Sequence, residues 1–484
     1  MQRYYVVVFL VLFCASVKAD PGNSQTGVFP PIISQSLPSF DSSGVVESFS
    51  LTAPTDTSQH PFFQSLGTNG RACATCHEPR SAWSVSATSI RRRFAISRGK
   101  DPIFRVNDGA TCDTDDVSTL TAKLSAYSLL LSKGLIRISL PLPTTQLGSN
   151  PPLPPDFTIT SVKDPYGCTS LSSGSPTISV YRRPLPAANL FLTQCPQSDP
   201  SCAPLSIMWD GREQSLESQA TDATLGHAQA QSSPTDDQLA QIANFESNVF
   251  DAQAFDFKAG LLSVDGAMGG PIFLSQLDFF IGINDSLSPG FDPTVFTLYS
   301  AWENLAASDH QDAARASIAR GETLFNTKTF TITNVNGLNL EPGDPFEQSG
   351  PIAGTCTTCH DSPNVGNHSM KLALDIGIAD AGAKAPPVVN VSGLPVFTVR
   401  CISGPLQGQS FTVTDLGRAM TTGKCADVGK VKGPILRGLA ARAPYFHNGS
   451  AASLDDVVKF YNRRFSIGFT AQEKKDLVAF LRAL

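Results

Sequence analysis

The stretch "RACATCHEPR", residues 71–80, carries two cysteines separated by two residues, with a histidine directly after the second cysteine. Covalent attachment of a c-type haem needs this arrangement, because two thiols must meet two vinyl groups while the adjacent imidazole ligates the iron. The pattern returns in "GTCTTCHDS", residues 354–362. One such motif alone could form half of a zinc site, but two indicate two covalently bound haem c groups. The expected attachment residues and iron ligands are Cys73, Cys76, His77, Cys356, Cys359 and His360.

The first residues, "MQRYYVVVFLVLFCASVKAD", combine a short basic end, an apolar run and the triplet V-K-A before Asp20. This pattern predicts a secretory signal peptide over residues 1–19, cut after Ala19. No other stretch approaches the roughly 20 continuous apolar residues that span a bilayer. We therefore expect an exported protein, periplasmic or secreted, without a membrane span once the leader is removed.

Charge and cysteine content narrow the function further. Loss of the leader reduces the 36 basic residues to 34 against 42 acidic ones, a net charge near −8 that argues against a nucleic-acid partner. Of the 11 cysteines, one leaves with the leader and four belong to the haem motifs. An even remainder in an oxidising compartment favours three disulfides. Pairing of sequence neighbours predicts Cys112–Cys168, Cys195–Cys202 and Cys401–Cys425.

Helical spacing of apolar residues favours a mainly α fold. The resemblance of several segments to parts of cytochrome c domains implies two such haem domains in tandem, with loop and short β insertions. "HPFFQSLGTNGRACATCH" (60–77) and "ARASIARGETLFNTKTF" (314–330) are each typical of an amphipathic helix that leads towards a haem motif. The final "TAQEKKDLVAFLRAL" predicts a helix capped by Thr470, with Glu473 three residues later. The predicted domains are 20–305, with a long insertion, and 306–484.

Two further segments resemble a known family. "IMWDGREQSLESQA" (207–220) is similar to a W-D-G-R…S-L-E-x-Q-A segment of bacterial di-haem cytochrome c peroxidases and MauG-type enzymes. "GKVKGPILRGLAARAPYFHNGSAASLDDVVKFYNRRF" (429–465) contains their distinctive A-P-Y-F-H-x-G core. With both haem motifs and the closing helix, the resemblance covers roughly half of the chain, and the motifs occur in the family's order.

The resemblance implies roles for individual residues. Trp209 matches the tryptophan that relays electrons or holes between the haems, and Gln219 matches a pocket glutamine beside the first, peroxide-binding haem. Tyr461 occupies the position where peroxidases of the family have a Met ligand to the second haem and MauG-like members have a Tyr ligand. A tyrosinate suits high-valent iron, whereas Met raises the potential. Met420 and Met370 remain alternative ligands.

The chain departs from the family in three ways. First, no His lies between His77 and His227, so the His that closes the first haem in resting peroxidases is missing and an open haem is expected. Second, the acidic residue expected ten positions after Gln219 is replaced by Gln229, and His227 is the candidate for proton transfer. Third, cationic Arg182 and Arg442 occupy calcium-ligand positions of the family, which argues against calcium.

These features predict an oxidoreductase that uses hydrogen peroxide at the first haem, with the second haem relaying oxidising equivalents. The electron donor would be a small cytochrome or cupredoxin, or a Trp or Tyr of a protein substrate. The alternative is a non-catalytic di-haem electron carrier, in which His227 or Met208 closes the first haem. The long insertion includes the acidic loop "DPIFRVNDGATCDTDD" (101–116), which is expected to be solvated and held by a disulfide.

Overall fold

The computed structural model describes residues 29–484 apart from 173, 194–206, 280–281, 341–343, 346–349, 367–372 and 383–388. The predicted leader and the predicted Cys195–Cys202 disulfide therefore lie outside the described residues, as do His368 and Met370. Within the described part, none of the helices combines the length and the apolar character needed to cross a membrane.

The described chain is a mixture of helices and sheets. The α-helices are α1 (Ala87–Ser97), α2 (Leu120–Ala126), α3 (Ser128–Lys133), α4 (Leu216–Gly226), α5 (Asp236–Asn248), α6 (Pro271–Leu274), α7 (His310–Thr327), α8 (Ala419–Thr422), α9 (Leu454–Arg464) and α10 (Ala471–Arg482). Short 3-10 turns occur at both haem motifs, Cys73–Thr75 and Cys356–Thr358.

The strands form several small antiparallel sheets. The strands are β1 (Ile32–Ile33), β2 (Ser36–Phe40), β3 (Gly44–Ser50), β4 (Thr55–Asp56), β5 (Ile136–Pro141), β6 (Phe157–Lys163), β7 (Thr177–Arg182), β8 (Val249–Asp256), β9 (Gly260–Leu261), β10 (Phe330–Ile332), β11 (Ile352–Gly354), β12 (Val396–Cys401) and β13 (Ser410–Val413). The larger sheets have the strand orders β2-β3-β8-β9 and β13-β12-β6, while β1 pairs with β4, β5 with β7 and β10 with β11.

Helices α7 and α10 pack closely and hold the second haem motif. Gly321 of α7 allows the close approach, because a Cβ there would lie 2.1 Å from the carbonyl oxygen of Asp476. The contact is apolar, with Phe325 and Phe480 rings 5.7 Å apart. The predicted Thr470 capping box is confirmed, since Thr470 Oγ1 accepts from the amide of Glu473 at 3.1 Å. Sequence periodicity therefore identified this part of the fold.

One sheet joins segments that are far apart in sequence. Strand β6 lies in the insertion that follows the first haem motif, and it pairs with β12 from Phe157 opposite Cys401 to Lys163 opposite Val396. Both predicted disulfides among the described cysteines are present: Cys401–Cys425 links the end of β12 to a following turn, and Cys112–Cys168 closes the insertion. The division into domains at residue 305 stays a prediction.

Two expectations about secondary structure need correction. The prediction of a mainly α chain is only partly confirmed, because 29% of the structure is helical and 17% is strand. The helix expected ahead of the first motif is reduced to a 3-10 turn at Pro61–Phe63. Gly67 lies four residues after the end of this turn, where a Cβ would be 1.9 Å from the carbonyl oxygen of Ala228. The segment is therefore shaped by its contact with the residues after α4.

Candidate haem sites

The two C-x-x-C-H motifs have the same local geometry. Each folds as a 3-10 turn, and the amide of each histidine donates to the carbonyl of the first cysteine, at 3.1 Å for His77 and 3.2 Å for His360. The Nδ1 atom of each ring is hydrogen-bonded to a backbone carbonyl, Trp83 O at 2.8 Å for His77 and Gly366 O at 2.7 Å for His360. This bond fixes the tautomer, so Nε2 remains as the nitrogen that can bind a metal.

The surroundings of the first motif fit a haem. Cys73 and Cys76 are not disulfide-bonded and lie beside His77 in the wall of a cavity that, counted out to its open mouth, holds about 1650 Å³. Burial lowers the pKa of His77 to about 4, which keeps its imidazole neutral as a metal ligand requires. These residues would hold the haem covalently.

His227 lies in the wall of the same cavity, at the C-cap of α4. Its Nδ1 is 2.5 Å from Oδ2 of Asp108, while Oδ1 of Asp108 accepts from Arg71. Its main chain is also fixed, because Asn69 Nδ2 donates to the carbonyl of His227 at 2.7 Å. The His227 side chain keeps 37% exposure, whereas Asp108 is buried. The ring is therefore held at Nδ1, while Nε2 has no hydrogen-bond partner among the described residues.

Gln219 and Trp209 line the cavity as well. Gln219 lies on α4, two turns before His227. The indole Nε1 of Trp209 donates to the carbonyl of Arg183 at 2.7 Å, and its ring lies 6.0 Å from that of buried His447. Trp209 is thus fixed against the A-P-Y-F-H segment. The structure brings the predicted His77, His227, Gln219 and Trp209 together around one cavity.

Two ionisable side chains of this cavity were not anticipated from the sequence. Glu246 on α5 is 4% exposed, and its Oε2 has no hydrogen-bond partner in the part of the chain that the structure describes. Burial raises its pKa to about 8. Lys432 also lines the cavity, and burial lowers its pKa to about 8. Neither residue carried a sequence signal, because each stands among residues that read as ordinary helix or loop.

Arg182 does not sit at the cavity alone but forms a buried ionic cluster. Its guanidinium contacts Asp415 through two bonds of 2.7 and 2.8 Å and Asp210 through one of 2.6 Å. Arg442, the other position expected near a calcium, donates to the carbonyl of Ile435 at 2.8 Å. The side chains at both positions are therefore cations with protein oxygens as partners, a donor set that does not fit calcium.

At the second motif, Cys356, Cys359 and Tyr461 of α9 all pack against one apolar cluster. Burial raises the pKa of Tyr461, and the nearby cysteines act in the same direction. Met420 belongs to a different cluster, built around β12 and β13. Tyr461 as the second-haem ligand stays a prediction, with Met420 packed elsewhere and Met370 outside the described residues.

The principal residues that the sequence failed to indicate are Asp108 and Arg71. Asp108 belongs to the acidic loop that was expected to be solvated, and for Asp108 that expectation is wrong, because it is 4% exposed and bonded to His227. Arg71 is part of the opening stretch itself. A contact between residues 119 positions apart leaves no periodic signal in a single sequence.

No protein-family model matches the chain. Curated relatives do: a cytochrome-c peroxidase IdrP2 of Denitromonas iodatirespirans is 33% identical over 140 residues, 27% of this chain and 36% of that protein. A cytochrome-c peroxidase IdrP1 of Pseudomonas sp. (strain SCT) is 33% identical over 141 residues, with the same two shares. Cytochrome c peroxidase Ccp of Escherichia coli (strain K12) is 39% identical over 75 residues, 15% of this chain and 16% of that protein.

The matches to the first two of these relatives span about a third of each relative's length. What they establish is kinship rather than the activity of the whole protein. The predicted resemblance to bacterial cytochrome c peroxidases is confirmed for the matched segments, which are similar to three curated proteins of that name.

Proposed function

We propose that the protein is an exported oxidoreductase that carries two covalent haem c groups and reduces hydrogen peroxide at the first one. Cys73 and Cys76 would attach that haem and His77 would ligate it. The second haem, on Cys356, Cys359 and His360, would relay electrons or holes. An open haem supplies an iron that takes up peroxide and accepts the two oxidising equivalents of its reduction.

The observation that carries the proposal is the shared cavity. His77 and His227 lie in its wall together, and His227 has one ring nitrogen bound by a carboxylate and the other free. Reduction of hydrogen peroxide consumes two electrons and two protons and yields two water molecules. Proton transfer therefore needs a group that both accepts and returns a proton, which a neutral imidazole does near pH 7.

The chain's own residues would divide this work. Nε2 of His227 would accept a proton from the incoming peroxide and return it to the departing oxygen. The amide of Gln219 would orient the peroxide by hydrogen bonding. Trp209, held by the Arg183 carbonyl, would carry electrons between this cavity and the second haem, which Tyr461 would help to hold.

The source of the electrons is proposed at the level of chemical class. A small donor protein, either a cytochrome or a cupredoxin, would deliver them in a cytochrome c peroxidase reaction. A Trp or Tyr side chain of a protein substrate would do so in a MauG-like reaction, which the Tyr at position 461 favours. The named relatives support the first of these two routes.

The test is low-temperature EPR of the oxidised protein, followed by stopped-flow mixing with hydrogen peroxide. We expect one high-spin and one low-spin ferric signal. His227→Ala should slow the reaction with peroxide by roughly 10²- to 10⁴-fold, the usual contribution of a general acid–base group. His310→Ala, at the exposed start of α7, is the matched control and should react like the wild type.

Two low-spin signals in the wild type would contradict the proposal. The first haem would then have two protein ligands, with His227 or Met208 as the second, and the protein would be an electron carrier. An unchanged peroxide rate in His227→Ala would remove His227 from the mechanism while leaving the open haem intact.

A further inference from the structure

The Asp108–His227 contact extends the proposed function, and the following inference rests on it. Asp108 is supplied by the insertion after the first haem motif, a part of the chain for which the resemblance offers no role. Its side chain and that of Arg71 are 6% and 2% exposed. A carboxylate at such a position is costly unless all its oxygens are paired, and here each oxygen has its own partner.

We propose that Asp108 is a positioning residue that fixes the tautomer of His227 and thereby presents the unprotonated Nε2 to the first haem cavity. The carboxylate accepts a hydrogen bond from Nδ1–H, so the neutral ring carries its hydrogen on Nδ1 and keeps its lone pair at Nε2. A base is useful for peroxide chemistry only with that lone pair facing the reactant.

Arg71 makes the assignment of donors unambiguous. Its Nη1 donates to Oδ1 of Asp108. Its Nε donates to the carbonyl of Pro102 and its Nη2 to the carbonyl of Ile103, each at 2.8 Å. The guanidinium is thus locked in place by the loop that carries Asp108. Burial acts to raise the pKa of Asp108, but Arg71 and His227 outweigh it and lower the pKa, so the carboxylate remains ionised.

The insertion holds Asp108 rigidly. The amide of Arg137, on β5, donates to the carbonyl of Asp108 at 2.8 Å. The hydroxyl of Tyr181, on β7, donates to the carbonyl of Thr111. The Cys112–Cys168 disulfide follows four residues after Asp108. The insertion therefore supplies the carboxylate that holds His227, a residue of the cavity wall.

Asp108→Asn tests the role with the least change of shape. One carboxylate oxygen becomes an NH₂ group, and Arg71 can accept no hydrogen bond, so the NH₂ must face His227. Nδ1 of His227 then becomes the acceptor, and the ring hydrogen moves to Nε2. The variant keeps the packing but removes the lone pair from the cavity.

The readout is the rate at which cyanide binds to the ferric protein at pH 7. Cyanide enters as neutral HCN and must give its proton to a base, so this rate reports the lone pair on Nε2 without any turnover. We expect Asp108→Asn to slow cyanide binding by roughly 10²-fold or more. Asp113→Asn, in the same loop but 56% exposed, is the matched control and should bind cyanide like the wild type.

Equal rates in Asp108→Asn and the wild type would overturn the inference, as would equal losses in the Asp108 and Asp113 variants, which would indicate general damage to the loop. Measuring the haem content and the thermal unfolding midpoint of both variants identifies such damage to the loop directly. A wild-type first haem that is low-spin would instead refute the proposed function. The two failures are therefore distinguishable.

Discussion

Replacing Arg182 with Met should destabilise the protein strongly, because the guanidinium neutralises two buried carboxylates. Side-chain exposures are 3% for Arg182, 1% for Asp210 and 3% for Asp415. Asp210 keeps Arg212 as a partner at 2.9 Å in the variant. Among the described residues, Asp415 keeps the Gly417 amide at 2.8 Å and the ring of His447 at 3.8 Å. Loss of one partner from a buried ion pair costs about 3–5 kcal/mol of unfolding free energy.

The cost should depend on pH. In the wild type, burial acts to raise the pKa of Asp415 and Arg182 outweighs it, so the folded-state pKa is lowered and the carboxylate stabilises the fold at neutral pH. Without Arg182, burial dominates and raises the pKa of Asp415 above its unfolded value. The unfolding free energy of the variant is then lowered most at pH 7, where Asp415 is ionised, and it rises again as the pH falls towards 5 and Asp415 takes up a proton. The difference from the wild type should therefore narrow on acidification.

Urea unfolding at pH 7 and pH 5, analysed by linear extrapolation, measures both effects. The double variant Arg182→Met, Asp415→Asn should regain much of the loss, because its amide oxygen can still accept from Gly417 and no charge is left without a partner. A single variant within about 1 kcal/mol of the wild type, where a loss of 3–5 is expected, would refute the reasoning. A difference that does not change with pH would refute the assignment to Asp415.

Three other outcomes are expected. Glu246→Gln should be more stable than the wild type by on the order of 3 kcal/mol at pH 7 and equally stable near pH 4. Burial raises the Glu246 pKa to about 8, so the wild type loses stability as the pH rises above 4.5. Urea unfolding curves at the two pH values measure this difference. The Cys112–Cys168 disulfide joins residues 56 positions apart, and its removal by substituting both cysteines with Ala should lower the unfolding free energy by about 4 kcal/mol in the same assay. A cost near zero would mean that β5 and β7 hold the loop without the disulfide. Tyr461→Phe should change the EPR signal of the second haem. Tyr445→Phe is the control and should not change it, because the Tyr445 hydroxyl donates to the carbonyl of Leu439. Identical spectra for Tyr461→Phe and the wild type would exclude Tyr461 as a ligand.

The parts of the fold that sequence could predict are those whose determinants are local. The α10 capping box and the apolar spacing of α7 lie within single turns or helices, so the pattern contains the answer. The pairing of β6 with β12 joins residues more than 230 positions apart, and nothing in either strand specifies its partner. The predicted helix at 60–77 failed because Gly67 and its neighbours pack against the end of α4.

The candidate site divides in the same way. His227, Gln219 and Trp209 were predicted from the resemblance, and the structure gathers them with the first haem motif around one cavity. Asp108 was missed because its proposed role depends on a contact across 119 residues, and the sequence of its own loop does not indicate that contact. Composition suggested a solvated loop, but the tertiary contact with Arg71 decided otherwise.

The β6–β12 pair also constrains how the molecule can be assembled and dissected. A nascent chain that has emerged only as far as residue 305 has made β6 but not its partner, so the hydrogen-bonding edge of β6 that later meets β12 remains open until residues 396–401 arrive. Open strand edges recruit other chains, and pairings of such high sequence separation form slowly. Any fragment that retains β6 without β12 would therefore be at risk of aggregation, and the two strands are best kept on one polypeptide.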